Sequence, residues 1–237
     1  MAQKEWREKI TSKIIATYLS HLQEFPPYRQ RHFVYRASLI YQSPQLRQAL
    51  QQQKEYLRSL IPAFEEYLDD PESKIPYIKQ RLKEYRCRKI NDRPKLEQWK
   101  KLIEVRTHHP YLWLYFYFRR LLKLNKKKWT LRLKSLAQPI HQKILNHPNF
   151  VRYAPVTATN IFFLHAYLGI LDQRAEYIRL FRKIFQKVSS SDALTLTNYI
   201  YGLTHIVIGD SCFYAYWPDR ENLAWTIEQF DRDQTPR

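Results

Sequence analysis

The chain has 237 residues, 44% of them hydrophobic, with 40 Lys and Arg against 22 Asp and Glu and a formal net charge of +18 at pH 7. That length and apolar content suffice for a core without disulfide or metal staples and exclude a disordered chain. The only glycines are Gly169, Gly202 and Gly209, which excludes the glycine-rich phosphate loops of Rossmann and P-loop sites and disfavours hairpin-rich β folds.

An all-α fold is therefore expected, a helical-hairpin array of about ten helices approaching an α/α toroid. It reads as a single domain over 1–237, with a basic half at 1–150 and a paired-repeat half at 151–237. The first helix is expected from Lys4 to Leu22, with Ile10, Ile14, Tyr18 and Leu22 along one face. Phe25-Pro26-Pro27 ends it, because proline has no N–H to donate. A second helix follows over Tyr28–Gln42. Ser43-Pro44 then supplies the N-cap and first-turn residues of a third, Gln45–Leu68, kinked at Pro62.

Beyond the polar connector at Asp69–Ser73, basic helices are expected at Pro76–Lys89 and Pro94–Thr107. His108-His109-Pro110 reads as punctuation before an aromatic helix at Tyr111–Leu124. Next comes a helix over Trp129–Asn146, interrupted by Pro139 and closed by His147-Pro148. In the last third a buried helix (Thr157–Asp172) precedes an amphipathic one, Arg174–Val188. A second buried helix is capped by Ser189–Asp192 and ended by Gly209 as a left-handed cap. An outer helix over Arg220–Asp231 finishes the chain.

The two buried helices share a motif. Thr157-Ala-Thr159-Asn160 leads through an apolar run to His165, Gly169 and Asp172, while Thr195-Leu-Thr197-Asn198 leads to His205, Gly209 and Asp210. The histidines stand one helix-turn-helix repeat apart. On the second helix Asn198, Tyr201 and His205 fall at steps of three and four, so they share a side. A polar cleft lined by both helices is expected, with His165, Asp172 and Asp210 as ligand-binding groups. No short metal-ligand spacing joins these residues, and no metal or cofactor is expected. Gly209-Asp210-Ser211 matches the start of a serine-esterase signature, but no histidine follows it.

Arg29-Gln-Arg-His-Phe-Val-Tyr-Arg36 and Asn198-Tyr-Ile-Tyr-Gly-Leu-Thr-His-Ile-Val-Ile-Gly-Asp-Ser211 resemble signatures of an uncharacterised bacterial helical family. The kernel T-H-x-x-x-x-D, here Thr204 to Asp210, is also similar to one in toroid-like bacterial domains of unknown function. The resemblance implies the fold and supplies no mechanism.

Charge is concentrated. Between Lys79 and Lys134 nineteen Lys and Arg stand against four Asp and Glu, a field that draws anions to one region. Arg119, Arg120 and Lys126-Lys127-Lys128, with Trp99 or Trp129 for stacking, are candidate contacts. An anionic ligand or partner is expected, whether nucleic acid, acidic polysaccharide or acidic protein. The alternative is an enzyme on an acidic carbohydrate, with Asn198 neutralising a carboxylate while His205 and Tyr201 act as base and acid. The longest apolar runs, Tyr111–Phe118 and Ile161–Leu171, fall short of the roughly 20 residues that span a bilayer. No apolar stretch backs the charged N-terminus, so a cytoplasmic location is expected, or a periplasmic one if a leader precedes this sequence. Cys87 and Cys212 are expected as free thiols, with a single bridge left open.

Overall fold

A computed structural model describes residues 2–87, 92–186, 192–216, 218, 223–226 and 228. Among them lie twelve α-helices, two 3-10 turns and no strand, so the fold is all-α. The chain divides into two compact units, Met1–Ile61 and Pro62–Arg237. Residue 150 lies well inside the second.

The first unit holds α1 (Ala2–Ser20), α2 (Pro27–Ile40) and α3 (Pro44–Ser59). Its core is Ile15, Leu22, Val34, Ala37, Leu46 and Ala49. The buried face of α1 is thus one residue round from the expected stripe, and Ile10, Ile14 and Tyr18 are exposed. Tyr18 still packs, stacking on Phe33 at 5.1 Å. Ser43 caps α3 as expected, its Oγ accepting from Leu46 N at 3.1 Å with Pro44 at the first turn. The helix expected over 45–68 is two, because Pro62 cannot donate to Arg58 O and its ring crowds that carbonyl. Leu60 N turns back to Leu57 O, and α4 (Ile61–Asp69) begins afresh.

The second unit continues with α5 (Ile75–Lys83), α6 (Asp92–Lys101), α7 (Ile103–Leu121), α8 (Lys127–Leu145), α9 (Pro148–Tyr153), α10 (Pro155–Tyr167), α11 (Arg174–Phe185) and α12 (Ala193–Asp210). Two expected breaks are absent. α7 runs straight through His108-His109-Pro110, and α8 through Pro139. A mid-helix proline costs about 3 kcal/mol. Burying Val105, His108, Leu112, Tyr115 and Phe116 along one uninterrupted side of α7 outweighs it. The real break comes earlier, at Leu102.

α10 is the hub, packed against α7, α8, α9, α11 and α12. Residues 157–165 of it are all buried. It ends in a Schellman turn: Ile170 N donates to His165 O and Gly169 N to Ala166 O, with Gly169 left-handed at φ 68°. α12 ends the same way, Phe213 N to Ile208 O and Cys212 N to Gly209 O. There the left-handed position belongs to Cys212 (φ 49°), followed by Phe213 and Tyr214, also at positive φ. Gly209 is therefore helical, not a cap. At its N-terminus α12 is capped by Asp192, which accepts from Thr195 N at 3.0 Å. Residues 189–191 lie outside the described residues, as does most of the helix expected over 220–231, of which 223–226 and 228 are helical.

Gly209 is needed for packing. A Cβ there would stand 2.6–2.8 Å from Cγ, Cδ1 and Cβ of Phe163 on α10, atoms too near the backbone to swing away. At Gly202 a Cβ would meet the ring tip of buried Phe181 at 2.3–2.6 Å and Cβ of Pro155 at 3.2 Å. Gly209→Ala should therefore destabilise the fold by about 1–3 kcal/mol despite alanine's better helix propensity. A urea midpoint at or above that of the parent would contradict this account of the α10–α12 contact.

Candidate functional site

The paired motifs do meet. α10 and α12 pack together, and His205 Nδ1 bonds Asn160 Oδ1 at 3.2 Å, joining the asparagine of one motif to the histidine of the other. His165, expected to face a ligand, does not. It is 0% exposed and both its ring nitrogens are taken by other histidines.

Those partners form a continuous relay across four helices and a turn. Tyr67 on α4 bonds His108 Nδ1 on α7 at 2.6 Å. His108 Nε2 meets His165 Nε2 at 2.9 Å, and His165 Nδ1 meets His141 Nε2 of α8 at 2.8 Å. His141 Nδ1 ends the chain on Gln173 Oε1, just before α11, at 2.9 Å. All three rings are at most 1% exposed. His141 stacks on Phe162 at 4.0 Å and Tyr67 on Tyr111 at 4.0 Å.

Burial disfavours the charged form of each ring. It lowers His108 to about 3, helped by the nearby His141, and holds His165 well below the ordinary range. His141 falls to about 4 for the same reason, with Gln173, Asp172 and Glu176 pulling the other way. Tyr67 and Tyr177 are pushed upward by desolvation. The relay is neutral at physiological pH.

The remaining expected residues are scattered. Asn198 is buried at 2% exposure while Tyr201 is half exposed, so these two and His205 do not face solvent together. Asp172 lies two residues before α11, accepting from Arg174 N at 3.2 Å and gripping its guanidinium at 2.8 and 3.0 Å. That bond holds its carboxyl below the usual range. Asp210 acts on Arg174 and on Cys212, whose thiol burial pushes up. Among the described residues no group of three or more His, Cys, Asp or Glu is placed to hold a metal. Both thiols are free, Cys87 exposed and Cys212 half-buried.

On the basic side, Arg120 lies over Tyr167 at 4.8 Å, and Arg119 over Tyr115 at 5.9 Å. Lys126 pairs with Glu65 at 3.1 Å and covers the Trp129 ring at 4.3 Å, while Lys127 and Lys128 are exposed. Trp129 and Trp99 are buried, so neither stacks on a ligand. Trp129 packs on Phe64 and donates to Glu65 Oε1. Trp99 carries Lys95 and Arg106 over its ring at 4.8 and 4.7 Å.

Sequence reading passed over a hollow of about 250 Å³ lined by Lys79, Leu82, Lys83, Lys100 and Ile103. Lys79 and Lys83 are one turn apart on α5, Lys100 comes from the end of α6 and Ile103 opens α7. Buried Leu82 and half-buried Ile103 are its apolar contribution, and all three lysines are exposed. Lys100 pairs with Glu97 at 2.9 Å. The i,i+4 spacing of two lysines before an apolar-capped turn was the available signal.

No helix among the described residues is long and apolar enough to cross a membrane. No curated protein and no solved structure matches the chain. A family model matches residues 7–235, nearly the whole of it and both motif segments, and the chain therefore belongs to the family described as Domain of unknown function (DUF3541).

Proposed function

We propose that this protein binds an anionic ligand or partner through its basic face, with the hollow between α5, α6 and the start of α7 as the anchor. The observation that carries this reading is that Lys79, Lys83 and Lys100 line one hollow together with Leu82 and Ile103. Ammonium groups beside an apolar floor attract a phosphate, sulfate or carboxylate more strongly than the same groups in open water. The surplus of basic residues over 79–134 extends that attraction beyond the hollow. Lys100 would exchange Glu97 for the ligand.

Lysines act as compact point charges with little geometric demand. The reading is therefore of binding by charge and not of catalysis. Binding of a sulfated polysaccharide and of single-stranded RNA should weaken log-linearly with salt. Reversing Lys79, Lys83 and Lys100 together to glutamate should weaken it at least ~10-fold and flatten the salt slope by about 2–3. The same reversal at Lys126, Lys127 and Lys128 should do less. Equal binding to neutral dextran and to the sulfated polymer would sink the proposal.

A further inference from the structure

With the Gln173 amide oxygen turned toward His141, the hydrogen bonds of the buried relay admit one arrangement of protons in the neutral state. Gln173 offers an acceptor oxygen, so His141 Nδ1 carries hydrogen and His141 Nε2 is bare. His165 must then donate from Nδ1 and accept at Nε2. His108 donates from Nε2 and accepts at Nδ1, where the Tyr67 hydroxyl supplies the hydrogen. Both ends agree: an amide oxygen that only accepts, and a phenol that keeps its proton.

An added proton can enter without breaking the chain. With His141 charged, its Nε2–H donates to His165 Nδ1. The His165 hydrogen sits on Nε2 and donates to His108 Nε2. The His108 hydrogen sits on Nδ1 and donates to the Tyr67 oxygen, whose own hydrogen turns away from the ring. Both ring-to-ring bonds persist with their sense reversed. A second added proton leaves five hydrogens on six ring nitrogens. The two ring-to-ring contacts each need one bare nitrogen, so one contact would set N–H against N–H at 2.8–2.9 Å.

We propose that Tyr67, His108, His165, His141 and Gln173 form a binding site for one proton, which the triad accepts by reversing its internal hydrogen bonds and which excludes a second while the protein is folded. The charge rests on His141. Asp172 and Glu176 favour a cation there, with Arg174, paired to Asp172, tempering the first of them. At the other end the neighbours are the neutral phenols Tyr67 and Tyr111, with Glu66 acting on Tyr111. His165 in the middle faces only its two fellow histidines. Gln173 is the member nearest solvent, beside exposed Asp172, so the proton enters from the α11 end.

Nitrogen-15 NMR of the imidazoles reads this directly. Near neutral pH the wild-type protein should carry ring hydrogen on His108 Nε2, His165 Nδ1 and His141 Nδ1, and any other pattern overturns the relay. Gln173→Glu places a carboxylate on His141 Nδ1 and should raise proton uptake by about 1–3 pH units, toward the pH at which the fold is stable. As that variant is acidified, His141 should become imidazolium while His165 and His108 stay neutral and swap the nitrogen that bears hydrogen. Charging of His141 with the other two unchanged, or a second imidazolium in the folded protein, would refute the proposal. If Gln173→Glu does not fold, the wild-type hydrogen map decides alone.

Discussion

Replacing His165 with leucine is expected to cost about 3–5 kcal/mol of folding free energy although the volume changes little. The substitution strands two groups at once: the Nε2–H of His108 loses its acceptor and Nε2 of His141 its donor. Each orphan at so buried a position costs about 1–3 kcal/mol. Against a total stability of about 5–15 kcal/mol that is severe. Removing the three rings together should hurt less per ring than removing one, since it strands only the Tyr67 hydroxyl and the half-buried Gln173 amide at the two ends. A variant with His108, His141 and His165 all replaced by leucine should therefore lose less stability per site than His165→Leu does. Urea midpoints of the single and triple variants measure both. A single variant within ~1 kcal/mol of the parent would mean that the relay contributes little to the fold.

Stability should fall steeply with acidification, beginning near pH 6.5. The folded His108 and His141 lie at about 3 and about 4, and His165 well below its ordinary value. An unfolded histidine titrates near 6.5. Below that pH the unfolded chain binds more protons than the native one, so the stability conferred by the neutral rings is complete above pH 6.5 and is lost as pH drops toward the folded values. Each ring contributes a slope of about 1.4 kcal/mol per pH unit, and three give about 4. By pH 5 the loss reaches about 6 kcal/mol, enough to unfold a domain of ordinary stability. The carboxyls of Glu65 and Asp172, held low by Lys126 and Arg174, act only at lower pH. Urea unfolding between pH 7 and 5 tests the window. A flat midpoint there would contradict the burial of three neutral imidazoles.

Much of the architecture could be read before any coordinates. The apolar runs at 157–172 and 193–210 form packed helices. Ser43 and Asp192 cap where local hydrogen bonding says they should. Those signals are local, carried by periodicity and by side chains that bond their own backbone. The relay was hidden because two prolines were given more weight than the apolar period running through them. Val105, His108, Leu112 and Tyr115 lie at steps of three and four, as do Leu133, Ala137, His141 and Ile144. Reading the period across Pro110 and Pro139 would have put both histidines on inward faces. Tyr67 offered no such clue, since its meeting with His108 spans 41 positions and depends on tertiary packing alone. The motif histidines suggested a cleft. Instead His165 went to the core, because its helix is walled in on every side by neighbours.

His165 serves the structure twice. Its ring is the centre of the relay, and its carbonyl holds the amides of Ile170 and Leu171 at 2.9 and 3.4 Å. Three residues on, Gln173 returns to His141, which returns to His165. Main chain and side chains thus close a hoop through one residue. Any shift of the α10–α11 corner that carries Gln173 with it therefore pulls on the imidazole chain.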